Sequence, residues 1–226
     1  MKPVLPYYNT PDFEPQFFEN TQAAKIKITH QVKSFSFLDQ HGQSISDTLL
    51  RGKVHVANFF FSRCTNICPN MIKQMQVIES EFGQNSEVEI LSFSVTPWLD
   101  SVSVLKKYAQ KNNIKSKQWH LLTGDKNAIY TLARKSYFAE ENLGFSKDNS
   151  QFLHTEHVVL VDKTLRIRGI YNGSLGLEME QLTKDIKLLL AEKYPVKKIA
   201  LLSPFIYITH KWFYLLAPEL YLNSVG

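Results

Sequence analysis

Apolar and polar positions along this chain fall into blocks of alternating period. Between Gln31 and Ser46, apolar residues sit at Val32, Phe35, Phe37 and Ile45 around the polar break Asp39-Gln40-His41-Gly42, which predicts a hairpin. Val54-His55-Val56-Ala57-Asn58-Phe59-Phe60-Phe61 is a β-prone run and predicts a buried central strand. From Pro69 to Phe82 the spacing turns helical, with Met71, Ile72, Met75, Ile78 and Phe82 on one stripe and Pro69 suited to the first turn. The same reading predicts a strand over Glu87–Val95, a helix over Ser101–Asn112, a strand over Trp119–Leu122, and a helix over Lys126–Ala133 capped by Thr123 or Asp125. Two strands follow, Val158–Val161 and Leu165–Tyr171, joined at Asp162-Lys163. A final helix spans Leu177–Leu190, with Met179, Leu182, Ile186 and Leu189 on its apolar face. Strands alternating with helices imply an α/β fold, a mixed sheet with helices on its faces.

Composition narrows the class without changing the fold. The chain has 226 residues, 44% of them hydrophobic and 21% charged, which excludes wholesale disorder. Nine glycines, nine prolines and two cysteines exclude collagen-like and disulfide-dense classes. The net charge of +5 is mild, and lysines such as Lys106, Lys107, Lys111, Lys115 and Lys117 read as a solvated face, so no nucleic-acid partner is called for. No internal repeat is evident.

The two ends read differently from the middle. Residues 1–29 are expected to be an extended linker, with Pro11 biasing Thr10 away from helix. No apolar run follows the basic start in the manner of a secretion signal. Residues 194–226 form an apolar extension of unassigned role. Its run from Ile199 to Leu222 is broken by Pro204, His210-Lys211 and Pro218, so an interfacial or core-docking segment is expected ahead of a membrane span. The domain proper is expected at residues 30–193.

The candidate chemistry is the pair Cys64 and Cys68, in Phe61-Ser62-Arg63-Cys64-Thr65-Asn66-Ile67-Cys68-Pro69. The pair lies where a central strand ends and a helix begins, the place where open α/β sheets put ligands. A helix N-terminus and the neighbouring Arg63 both favour negative charge, so a lowered thiol pKa is expected. Spacing of i, i+4 brings both sulfurs to one helix face, within reach of a shared metal or a disulfide. Incidental buried thiols and a purely structural disulfide are the alternatives. A structural zinc site is disfavoured, because such sites take four ligands and the chain has no second cysteine pair.

This strand-Cys-x-x-x-Cys-Pro-helix unit resembles the Sco/SenC family, thioredoxin-fold copper proteins that help assemble cytochrome c oxidase. Three more stretches are similar to that family: the hairpin Phe35 to Gly42, the helix Asp100 to Ala109, and Trp119-His120-Leu121-Leu122-Thr123-Gly124. The resemblance implies a thioredoxin-like mixed sheet flanked by helices, with an N-terminal hairpin extension. It also implies one copper ion per chain held by Cys64, Cys68 and a histidine just before the last hairpin. His154 and His157 compete for that role. The family's register selects His154, and the odd interval between them turns the two to opposite sides of an extended strand. Glu156 shares a side with His154, where it would orient it or ligate weakly unless simply solvated. The remaining histidines, His30, His41, His55, His120 and His210, read as structural or solvated. Two thiolates and an imidazole suit copper, the sulfurs holding Cu(I) and the nitrogen accommodating Cu(II). One departure stands out: where many relatives carry Asp-Pro-Glu-x-Asp, this chain has Thr96-Pro97-Trp98-Leu99-Asp100, so a docking role for that acidic loop is in doubt.

The function implied is a metallochaperone delivering copper to, or maturing, the copper subunit of a terminal oxidase. A thiol–disulfide oxidoreductase keeping partner cysteines reduced, with Cys64 attacking and Cys68 resolving, is the second reading. A redox or copper sensor is the third. By the same resemblance the working place is the periplasmic face of an inner membrane, with the protein anchored there.

Overall fold

The computed structural model describes residues 4–18, 29–65, 67–140, 153 and 155–192. The extension over residues 194–226 and the candidate ligand His154 lie outside the described residues. Chain contacts divide the protein into two units, Met1–Tyr194 and Pro195–Gly226, and everything below concerns the first.

Its frame is a seven-stranded mixed sheet. The strands are β1 (Tyr7–Tyr8), β2 (Pro15–Gln16), β5 (Val54–Phe60), β6 (Val88–Ser94), β7 (Trp119–Leu122), β8 (His157–Val161) and β9 (Ile167–Asn172), and their order across the sheet is β2-β1-β9-β8-β5-β6-β7. β5, β6 and β7 run parallel, while β8 lies antiparallel to both β5 and β9. A separate hairpin, β3 (Ser36–Leu38) and β4 (Ser44–Ser46), meets the end of β7 through paired amide bonds between Leu38 and Thr123 of 3.0 and 2.9 Å. The helices are α1 (Asp47–Leu50), α2 (Cys68–Phe82), α3 (Val102–Lys111), α4 (Lys126–Ser136) and α5 (Gly176–Ala191).

The parallel connections explain why β5 and β6 are buried on every residue, since both faces of the sheet are covered. One face packs Met71, Ile72, Met75 and Ile78 of α2, Leu105 of α3 and Leu182 and Ile186 of α5 against Val56, Phe60, Ile90 and Leu160. On the other face, Phe35 and Phe37 of the hairpin segment and Ile129 and Tyr130 of α4 pack against Ala57, Phe59, Phe93 and Val159. Each such fully buried side chain contributes about 1.5–3 kcal/mol. α3 and α4 start on side-chain caps, Ser101 Oγ accepting from the Val104 amide and an Asp125 oxygen from that of Ala128.

Predicted and observed elements agree to within a few residues in the body of the domain. The difference lies at the N-terminal end. Residues 4–18, expected as linker, contain β1 and β2, and β1 joins the sheet through Tyr8 opposite Ile167. The anchor is Arg168, whose guanidinium donates to the carbonyls of Leu5 and Pro6 at 2.9 and 3.0 Å and lies 3.9 Å from the centre of the Tyr7 ring.

Candidate metal centre

The topology gathers one set of loops at one rim of the sheet. β5, β6 and β9 end there and β8 begins there, so the described residues 61–65 and 67, 95–101, 155–156 and 173–175 converge.

Cys64 and Cys68 sit at the middle of this rim. The Cys64 amide donates to the Phe61 carbonyl at 3.2 Å, turning the chain out of β5. Four residues on, the Cys68 amide opens α2 and donates to Cys64 Sγ at 3.4 Å. Cys64 thus precedes the helix instead of sharing a helical face with Cys68, its sulfur lies against the helix N-terminus, and no disulfide joins the two. Cys64 is half-buried and Cys68 is 6% exposed.

That burial overturns the expected thiol acidity at Cys68. Loss of solvent pushes its pKa up to about 12, against a smaller lowering from the Phe61 backbone. A helix start is visible in the sequence; the apolar walls of Phe60, Phe61, Ile67 and Met71 around it are not. A soft cation is what brings such a thiol to the thiolate, because the metal replaces the proton.

Leu153 and Thr155 line the same small cleft as Cys68, Ile67 and Met71. These two are the described neighbours of residue 154, and they share the cleft with Cys68. Glu156 is occupied elsewhere: its carboxylate accepts from Ser174 Oγ at 2.9 Å, and its carbonyl accepts the Gly173 amide at 2.8 Å. His157 lies on the other face of the sheet, its ring meeting Phe13 edge-on at 5.5 Å. Of the remaining histidines, His55 is buried beside the Tyr137 hydroxyl at 3.1 Å, and His30 stacks on Phe138 at 4.2 Å. His120 stands between Asp39 and Glu89, 3.3 Å from each. Among the described residues, no group of three or more His, Cys, Asp and Glu is arranged to hold a metal.

Asp100 turns inward rather than presenting a charge for docking. It is fully buried. Its carboxylate accepts from Ser62 twice, through the amide at 3.3 Å and through the hydroxyl, and from Ser94 Oγ and Thr96 Oγ1 at 2.6 and 2.8 Å. Sequence reading singles out Asp100 but misses the three hydroxyl residues around it, because Ser and Thr near a loop carry no signal until the fold brings them together. On the same rim Trp98, Leu99, Leu175 and Leu177 are exposed, with the Lys126 ammonium 5.3 Å over the Trp98 ring.

Comparison with known proteins addresses the family and the fold. The family model SCO1/SenC matches residues 23–191. A SCO1/SenC family lipoprotein from Bacillus anthracis is 29% identical, with a TM-score of 0.62 over 73% of this chain and 97% of that one. BsSco, a member of the Sco family of cytochrome c oxidase assembly proteins in which a disulfide switch has been identified, is also 29% identical, with a TM-score of 0.61 over 73% and 95% of the two chains. The fold extends to Bradyrhizobium japonicum ScoI, solved with copper bound, which is 23% identical with a TM-score of 0.56 over 70% and 99%. The family match runs through the whole described body of the sheet, the cysteine pair included, and the chain belongs to the SCO1/SenC family.

Proposed function

We propose that this protein carries one copper ion on Cys64, Cys68 and His154 and serves in building the copper centre of a terminal cytochrome c oxidase. The observation that carries the reading is that two cysteines not joined by a disulfide sit at one rim of the sheet, and that Leu153 and Thr155, the neighbours of residue 154, line the same cleft as Cys68. The donor set fits the metal: two soft sulfurs and one imidazole suit copper in both its common oxidation states. A half-buried Cys64 leaves one flank of the site open to a partner's ligands, as cargo transfer by stepwise ligand exchange needs. Membership of a family that includes cytochrome c oxidase assembly proteins supports the destination.

The same two sulfurs support a second reading. Joined as a disulfide, with loss of two protons and two electrons, they lose the thiolates that bind copper, so the redox state of the pair gates loading. As a reduced dithiol, they are equipped to reduce a partner's disulfide. The disulfide switch of BsSco favours keeping this reading beside the first. For location, the lipoprotein relative supports membrane attachment, and the periplasmic face of an inner membrane follows from the family resemblance alone. No described helix is long and apolar enough to cross a membrane.

Copper titration of the reduced protein separates the readings. One equivalent taken up, with a sulfur-to-copper charge-transfer band, is expected for wild type. His154→Ala should weaken binding at least tenfold and leave thiol exchange intact. A folded, reduced wild type that takes up no copper removes the carrier reading, and an H154A protein with full affinity removes the third ligand.

A further inference from the structure

A buried carboxylate is costly unless its oxygens are hydrogen-bonded. All four groups donating to Asp100 are neutral, and two of them belong to Ser62, two residues before Cys64. Asp100 is itself held from behind, its amide and that of Leu99 donating to the Thr96 carbonyl at 3.0 and 2.8 Å. β5 has ended by this point, and the Cys64 amide closes a turn onto Phe61. The turn that carries Cys64 is therefore pinned through Ser62 to the end of β6.

We propose that Asp100 is a positioning residue for Cys64, holding its turn in the dithiol geometry and so setting the balance between dithiol and disulfide. This deepens the redox reading of the same pair given above. Closing the disulfide draws two separate sulfurs to bonding distance and moves the Cys64 turn. A turn bonded twice to a buried carboxylate resists that movement.

The balance is read in mixtures of reduced and oxidised glutathione. There the dithiol gives two electrons and two protons to oxidised glutathione, yielding the protein disulfide and two reduced glutathione molecules. Acid quenching and alkylation then count the free thiols. Ser62→Ala and Asp100→Asn should each shift the equilibrium toward the disulfide by roughly tenfold, the scale of one hydrogen bond to a charged group. Thr96→Val deletes a hydroxyl from the same carboxylate without touching the thiol turn. It should lower the melting temperature about as much as S62A and leave the equilibrium within about twofold of wild type, well inside that tenfold scale. S62A and T96V both keep the carboxylate, so the pair decides the matter even if D100N fails to fold. A T96V shift equal to that of S62A, an S62A value within about twofold of wild type, or a shift toward the dithiol would overturn the proposal. So would a wild-type chain that forms no disulfide, an outcome that leaves the copper reading to its own titration.

Discussion

His55 shows what burial does to a single side chain. It is fully enclosed on β5, and desolvation pushes its pKa down to about 3 from a normal value near 6.5. Because the folded value lies below the unfolded one, the neutral ring's contribution is complete above pH 6.5. It is lost as pH falls from there toward 3, at up to about 1.4 kcal/mol per pH unit. Urea midpoints for wild type should therefore drop between pH 7 and pH 5, and the drop should be shallower in His55→Gln, which does not titrate. Equal slopes would show that some other group carries the acid sensitivity. At this same scale the sequence was an uneven guide. The cysteine pair was legible because strand, spacing, proline and helix all mark one place. The acidity of Cys68 was not, since the field of a helix start is local and visible whereas the desolvation that opposes it comes from Phe60, Phe61 and Met71 packed around it. The Asp100 cluster was half legible: the carboxylate is a conspicuous residue type, while Ser62, 38 positions away, becomes its partner only in the fold.

Among the elements, the turn between β9 and α5 is the tightest fit near the thiols. A Cβ at Gly173 would stand 2.6 Å from Val158 Cγ2 and 3.2 Å from both the Glu156 carbonyl oxygen and Met71 Cε. Gly173→Ala should thus press this turn away from β8 and α2 and cost about 1–3 kcal/mol. Gly176→Ala should cost less than about 0.5 kcal/mol, because its nearest contact would be Gln74 at 3.8 Å. Melting temperatures of the two variants test the contrast, and equal values would mean that the turn is looser than it looks. Elements of this size were mostly readable. Helical stripes such as Met71, Met75, Ile78 and Phe82 repeat over several turns, and the strands β5 and β6 are seven-residue runs dominated by apolar, β-prone residues. The strands β1 and β2 escaped notice, for two residues hold no alternation and the strand that ties β1 to the sheet, β9, is distant in sequence. The four-residue α1 escaped for the same want of length.

The whole domain is closed by Arg168. Its guanidinium, fully buried, reaches Asp162 at 3.2 Å and both oxygens of Glu192 at 2.7 and 2.8 Å, besides the carbonyls of Leu5 and Pro6. Removing one partner from a buried charged network leaves the others uncompensated and costs about 3–5 kcal/mol. Arg168→Met should lower the melting temperature by roughly 10 °C in a domain of this size and expose the N-terminal segment to proteases. A variant that melts like wild type would show that the network contributes nothing net.

The position of this clamp sets the bearing of the molecule. Arg168 lies at the start of β9, and β9 points the same way as β5, whose far end leads to the cysteines. Glu192, at the end of the returning helix α5, therefore meets it at the pole opposite the sulfurs. Clamp and chemistry thus occupy opposite ends of one sheet.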